Sequence, residues 1–172
     1  TDGSECPGTN CGYVDQRNQN LGGVQTNGID LVMSYRMNAA SAGKFNFGYQ
    51  GTYVHKYEYQ NFDGDVWHQN VGVFSGAGPV FRWQHNAEIN WNMEPFSLGL
   101  AGHYKTGYLD EDPYVLDDAG NVIGENRVSP YATFDIYGTW AMEKGFSITA
   151  GIRNMFDREP PFSNQQDTFQ NG

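Results

Sequence analysis

The stretch FNFGYQGTYVHKYEY, Phe45 to Tyr59, sets Phe45, Phe47, Tyr49, Tyr53, Tyr57 and Tyr59 on one parity and Asn46, Gln50, Thr52, Lys56 and Glu58 on the other. A repeat of two belongs to a strand with one apolar and one polar face; an amphipathic helix repeats every 3.6 residues or so. Upstream, Gly28 to Met37 alternates in the same way, with Ile29, Leu31, Met33, Tyr35 and Met37 against Asp30, Ser34 and Arg36, and Val32 as the one misfit. Downstream, Phe81 to Met93 sets Trp83, Ala87, Ile89, Trp91 and Met93 against Arg82, Gln84, Asn86, Glu88, Asn90 and Asn92, with His85 out of place on the apolar parity. Phe96 to Tyr108, Tyr131 to Met142 and Phe146 to Phe156 complete the series, and Asp135 and Arg153 fall on the polar parity of the last two.

Strands of this length exceed the usual soluble strand of about five or six residues. They suffice to cross a bilayer, which takes about 9 to 11 tilted residues. Alternation alone fits a soluble antiparallel sheet with one wet face equally well. The connections separate the two readings. Residues 38–44, 94–95 and 143–145 make short links, and residues 61–79 and 110–127 make long ones, in strict alternation. An up-and-down outer-membrane barrel needs that sidedness, with short periplasmic turns and long extracellular loops; a sandwich does not. The expectation is an all-β fold: about six strands of an antiparallel, up-and-down transmembrane β-barrel. Arg82, Glu88, Asn90, Asp135 and Arg153 would then face the lumen. Tyr49, Tyr53, Trp83, Trp91 and Trp140 would form a lipid-facing belt.

Charge follows the same division. The 172 residues hold 10 Lys and Arg against 20 Asp and Glu, a net charge of −10 that argues against a nucleic-acid binder. The candidate outer loops, 1–19, 61–79, 110–127 and 157–172, carry −11 between them, which leaves the strand-rich remainder at +1. No apolar run approaches the roughly 18 residues of a transmembrane helix.

Two segments resemble a known family. NQNLGGVQTNGIDLVMSY, Asn18 to Tyr35, leads through Asn20-Leu21-Gly22 and Thr26-Asn27-Gly28-Ile29-Asp30 into an alternating strand. FSITAGIRNMFDREPPFSN, Phe146 to Asn164, ends a strand in an Arg-Asn-apolar-Phe-Asp box and a Pro-rich loop. Both are similar to the C-terminal part of the barrel of TonB-dependent outer-membrane receptors, the second being the more specific. The resemblance spans essentially the whole chain. It implies a barrel of roughly 22 strands around a plugged lumen, with these six as strands sixteen to twenty-one and the plug, the TonB-contacting box and the last strand outside the sequence. It also implies uptake of a scarce nutrient (siderophore, cobalamin, carbohydrate or peptide) across the outer membrane of a Gram-negative bacterium. The partners would be the rest of the barrel and its plug, outer-membrane lipid, and the TonB–ExbB–ExbD system acting through the plug. A passive porin-like barrel and a soluble β-sandwich that binds carbohydrate are the alternatives.

Little in the sequence points to catalysis. Cys6 and Cys11, the only cysteines, stand in a Gly/Pro/Asn-rich stretch, where a disulfide stapling an exported loop is the expectation. A zinc site would need two more nearby ligands, and a redox pair would need a CxxC frame. Asp110-Glu111-Asp112 with Asp117-Asp118 offers oxygens for calcium but does not follow the EF-hand pattern, so a solvated, mobile loop is expected. Glu88 and Asp135 share a parity but sit on different strands, and no nucleophile–base arrangement accompanies the four histidines. The reading is of a non-enzyme without cofactor or metal. Phe62, Asp63, Trp67 and His68, in the first long link, are the candidate substrate contacts.

Overall fold

The computed structural model describes residues 22–75 and 78–164. Its strands are β1 (Val24–Asn38), β2 (Lys44–Tyr59), β3 (His68–Gln69), β4 (Trp83–Met93), β5 (Phe96–Lys105), β6 (Tyr108–Leu116), β7 (Val122–Val128), β8 (Tyr131–Ala141) and β9 (Ser147–Ile152). The main sheet runs β1-β2-β4-β5-β8-β9, with β3 added against β2; β6 and β7 pair apart from it. Every one of the six expected strands is present, each beside the next and antiparallel to it. The result is an open up-and-down sheet, a segment of a barrel.

Register keeps the parities in step. Phe45 faces Trp91, Phe47 faces Ile89 and Tyr53 faces Trp83; Ile89 continues to Leu100, and Leu100 to Ile136. Apolar residues from all six strands therefore gather on one face. That face is uncovered: Ile29 is 67% exposed, Tyr35 63% and Ile152 61%. The side chains buried outright, Val71, Val128, Asn70 and Asp110, all lie in the layer at the long-connection end. A soluble sandwich packs its apolar faces against each other, and no second sheet does so among the described residues.

Three differences from the sequence reading have local causes. β1 begins at Val24, four residues before the expected start, where its ladder with β2 is bulged: Asn27 pairs with Lys56 and Gly28 with Val54, so His55 is the extra residue in β2. Val24 and Thr26, on the opposite parity to Ile29, pair with Tyr59 and Tyr57. β9 ends at Ile152, short of Phe156, because Asp135 Oδ1 accepts the Asn154 N–H at 2.8 Å and the Met155 N–H turns to the Phe134 carbonyl at 2.7 Å. Asn154 has φ +48°, which no strand continues through. The Arg-Asn-Met-Phe-Asp box is thus a strand terminator. Finally, residues 110–127, expected as a mobile loop, belong to the hairpin β6–β7. Its ladder jumps from Leu109 opposite Arg127 to Tyr114 opposite Glu125, leaving the acidic run as an interruption inside one strand.

Candidate functional site

On the polar face, short hydrogen bonds run from strand to strand. Thr52 Oγ1 donates to Asp30 at 2.7 Å, and Tyr137 Oη donates to Asn90 Oδ1 at 2.5 Å. His103 stands between Asn86, 2.7 Å from its Nδ1, and Asp135, 3.6 Å from its Nε2. Glu88 lies across Gly48, and the Tyr137 ring across Gly99; a Cβ at either glycine would collide with the side chain above it. Glu88, Ala101 and Asp135 form one cross-strand row, so the two backbones stand two strand spacings, about 9–10 Å, apart, and the Glu88 side chain leans away from Asp135 over Gly48. Arg153 and Asp135 border a shallow hollow over Ala101 and Gly151. Arg82 stands at the mouth of β4, half-buried, and its carbonyl accepts the Val54 N–H at 2.9 Å.

On the apolar face, aromatics collect near both strand ends. At the long-connection end Tyr53 meets Trp83 with ring centroids 4.4 Å apart, Trp83 stacks on His85 at 5.3 Å, and His85 on Tyr104 at 5.6 Å. His85, the exception in the alternation, is accommodated by this cluster and by a 2.7 Å hydrogen bond between its Nδ1 and Tyr49 Oη. At the short-turn end Phe96 stacks on Trp140 at 6.2 Å, and Trp91 Nε1 donates to the Ala42 carbonyl at 2.7 Å. Ala87, Ile89, Leu100, Gly102 and Ile136 fill the space between. From Trp83 to Trp91 the strand advances about 27 Å, or about 20 Å of height at a barrel's usual tilt of about 40°.

The layer at the long-connection end is polar and cross-tied. Asp65 organises the first loop: its carboxylate accepts the Val66 N–H at 2.8 Å and both Asn61 nitrogens at 3.0 and 3.1 Å, with His68 Nε2 3.2 Å away. The Asn61 backbone N–H foremost, then the Val66 N–H, the Asn61 side chain and His68, hold the Asp65 carboxyl below its ordinary pKa against the cost of partial desolvation. Phe62, 58% exposed, and Asp63 stand at the tip, while Trp67 is 43% exposed beside Gly23. His68 is half-buried, its ring tilted against Tyr59 with centroids 5.3 Å apart. The four expected contact residues therefore share one loop, three in the open and one built into its base.

Beyond that tip the loop docks on β6. Leu109 donates to the Gly72 carbonyl and accepts from Phe74, both at 2.8 Å, and the Phe74 and Phe81 rings lie 6.2 and 5.8 Å from Tyr108. Asp110, 3% exposed, accepts from Ser163 Oγ at 2.6 Å, from the Asn164 N–H at 2.7 Å and from the Glu111 N–H at 2.9 Å. It joins the hairpin to the segment that follows β9. Sequence reasoning missed this role, and that of Asn154, since nothing local distinguishes Asp110 from its acidic neighbours. At the hairpin tip the Asp117 carboxylate accepts N–H groups of Ala119 and Asn121, and these bonds, the Asn121 side chain foremost, hold its pKa down. Two of the carboxylates that resembled calcium ligands are thus occupied by protein donors. Among the described residues no three His, Cys, Asp or Glu side chains gather as a metal site. Cys6 and Cys11 lie outside the described residues.

Comparison with family models matches residues 1–155 to the TonB dependent receptor-like β-barrel. The chain belongs to this family. Comparisons with curated proteins and with solved structures give no match. TonB-dependent receptors are outer-membrane transport receptors of Gram-negative bacteria rather than a family of enzymes, and they work in general with a plug domain and the TonB system. Membership supports an outer-membrane receptor and transport role for this chain.

Proposed function

We propose that these residues form part of the wall and the outer gate of an energy-coupled receptor for a scarce nutrient: a siderophore, a cobalamin, a carbohydrate or a peptide. In this reading Tyr49, Tyr53, Trp83, Trp91 and Trp140 face lipid, and Arg82, Glu88, Asn90, Asp135 and Arg153 face the lumen and its plug. The short turns lie in the periplasm, and the layer of residues 60–82 and 108–128 lies outside the cell. TonB–ExbB–ExbD acts on the plug and not on this wall.

The observation that carries a substrate-contacting role is the first loop. Phe62 and Trp67 are held uncovered above a base pinned by Asp65. An exposed aromatic on an ordered base loses little freedom when a ligand covers it, which favours binding there. Asp63 and the carboxylates of the acidic hairpin give the surroundings a negative field, which favours neutral or cationic cargo over anionic chelates. The test is uptake by the full receptor of labelled ferric siderophores, cyanocobalamin, oligosaccharides and peptides. Phe62→Ala with Trp67→Ala is expected to cut uptake of the accepted nutrient at least about tenfold at unchanged surface abundance. Undiminished uptake removes this loop from the binding site. Uptake that persists after TonB is deleted restores the passive-pore alternative.

A further inference from the structure

Among the described residues the apolar face carries a recess at the short-turn end, larger than the small hollow between Trp83, His85 and Tyr104 at the other end. Along one cross-strand row the residues are Trp91, Leu98, Gly138 and Ala150; in the adjacent row they are Met93, Phe96, Trp140 and Ile148. The first row falls from an indole to a bare backbone. What it leaves is a groove of about 470 Å³, distinct from the polar hollow of about 550 Å³ beside Asn38, Lys44 and Asn92 at the same end of the sheet. Its floor is Gly138 and Ala150, its end wall Trp91 with Leu98, and its flank Phe96, Trp140 and Ile148. Every side chain offered to it from this face is apolar.

We propose that this groove seats one acyl chain of a glycerophospholipid from the periplasmic leaflet. The inference rests on the membrane orientation given above, and the groove is continuous with the apolar outer face of an outer-membrane barrel. Its occupant is set by where it lies. The short turns place it in the periplasmic half of the bilayer, beside the aromatic belt formed by Trp91, Phe96 and Trp140. Lipid tails are as apolar as leucine, so leaving water is no reason for a tail to prefer this spot. Packing is: a tail over Gly138 and Ala150 reaches the backbone and touches ring and aliphatic walls on two sides, where over the bulky face of β1 it touches one. A groove left empty forfeits those contacts.

The test uses the full receptor reconstituted in phosphatidylethanolamine–phosphatidylglycerol vesicles containing a phosphatidylethanolamine with a mid-chain diazirine. After irradiation, adducts are mapped by peptide mass spectrometry. Adducts per exposed residue are expected to be several-fold more frequent on Trp91, Trp140 and Ile148 than on Ile29, Leu31, Met33 and Tyr35, which are about half exposed or more on the same face. Gly138→Leu is expected to erase that excess. A Cβ at Gly138 meets its nearest neighbours at 3.4 and 3.7 Å and its φ is not positive, so Gly138→Ala is a tolerated intermediate expected to reduce the excess in part. Ala150→Leu closes the groove from the next strand and is expected to act like Gly138→Leu. Even labelling of both regions, or an excess indifferent to these variants, overturns the groove but not the membrane reading. Absence of adducts on the whole apolar face overturns both. Linking of two receptors through Ala150→Cys by a short bismaleimide, with loss of lipid adducts, overturns the proposal by assigning the groove to a second copy.

Discussion

The six-strand sheet and the layer at its long-connection end obey opposite rules. In the sheet, apolar side chains such as Ile29, Leu31 and Ile152 stand uncovered and the polar side chains are joined across the strands. In the layer, Val71, Val128, Asn70 and Asp110 are enclosed, and apolar residues of the hairpin tip, Leu116 and Ile123, are left at 55% and 65% exposure. Inside the sheet β2, β4, β5 and β8 pair their backbones with a strand on each side, and the apolar side chains are left to the surroundings. The layer supplies its own enclosure through polar ties, as water permits. That division is the one the proposed membrane orientation calls for.

That contrast breaks most readily with a charge. Leu100→Arg, in the middle of the apolar face, is expected to cost about 2–4 kcal/mol in urea unfolding of the full receptor in vesicles. Leu116→Arg on the hairpin is expected to stay within about 0.5 kcal/mol. Equal costs would mean that both regions meet the same solvent. Next is Asp110→Ala, which strands the Ser163 hydroxyl and the Asn164 and Glu111 N–H groups, with an expected local cost of about 1–3 kcal/mol. Amide exchange should quicken in residues 158–164 and at the base of β6 but not in β4 or β5; a uniform change would show that sheet and layer unfold together. Tyr49→Phe, which removes the hydrogen bond to His85, should cost about 0.5–1.5 kcal/mol and leave the layer's exchange untouched.

Acid gives the smallest and most local effect. Asp65 and Asp117 have pKa values lowered from the ordinary 3.8, so the folded loops bind protons less readily than the unfolded chain. Their contribution is full above pH 3.8 and drains away as pH falls through the lowered values. Exchange at the Val66 and Asn121 amides, read between pH 5 and about 2.5, should gain an extra acceleration that the strand amides lack. Equal acceleration in β2 and β4 would place the acid sensitivity in the whole fold and not in these two turns.

The sheet was legible because its signal is periodic and redundant: six strands repeat one parity rule, and one misfit such as Val32 does not obscure it. Even the expected start at Gly28 coincides with a structural break, since the ladder bulges there at His55 of the partner strand. The layer was less legible because its order comes from long-range polar contacts. Asp110 and Ser163 are 53 residues apart and unremarkable in their neighbourhoods. The run Asp110 to Pro113 read as loop because its composition is that of a loop, and it sits inside a strand only because Tyr108-Leu109 and Tyr114 to Leu116 pair on either side. Of the four candidate contact residues, exposure of Phe62 and Trp67 followed from their place in a link, but the pairing of His68 with Asp65 needed the folded turn.

The Asp110 carboxylate also has a mechanical meaning. One end of this tie is the root of the hairpin and the other is the stretch leaving the last described strand, so the two cannot be displaced separately while it holds. A pull on residues 163–164 reaches Asp110 directly, whereas it reaches the β8–β9 ladder only through the intervening residues 153–162. Two hydrogen bonds at one side chain, from Ser163 and Asn164, therefore couple the segment that leaves the wall to the arm above it.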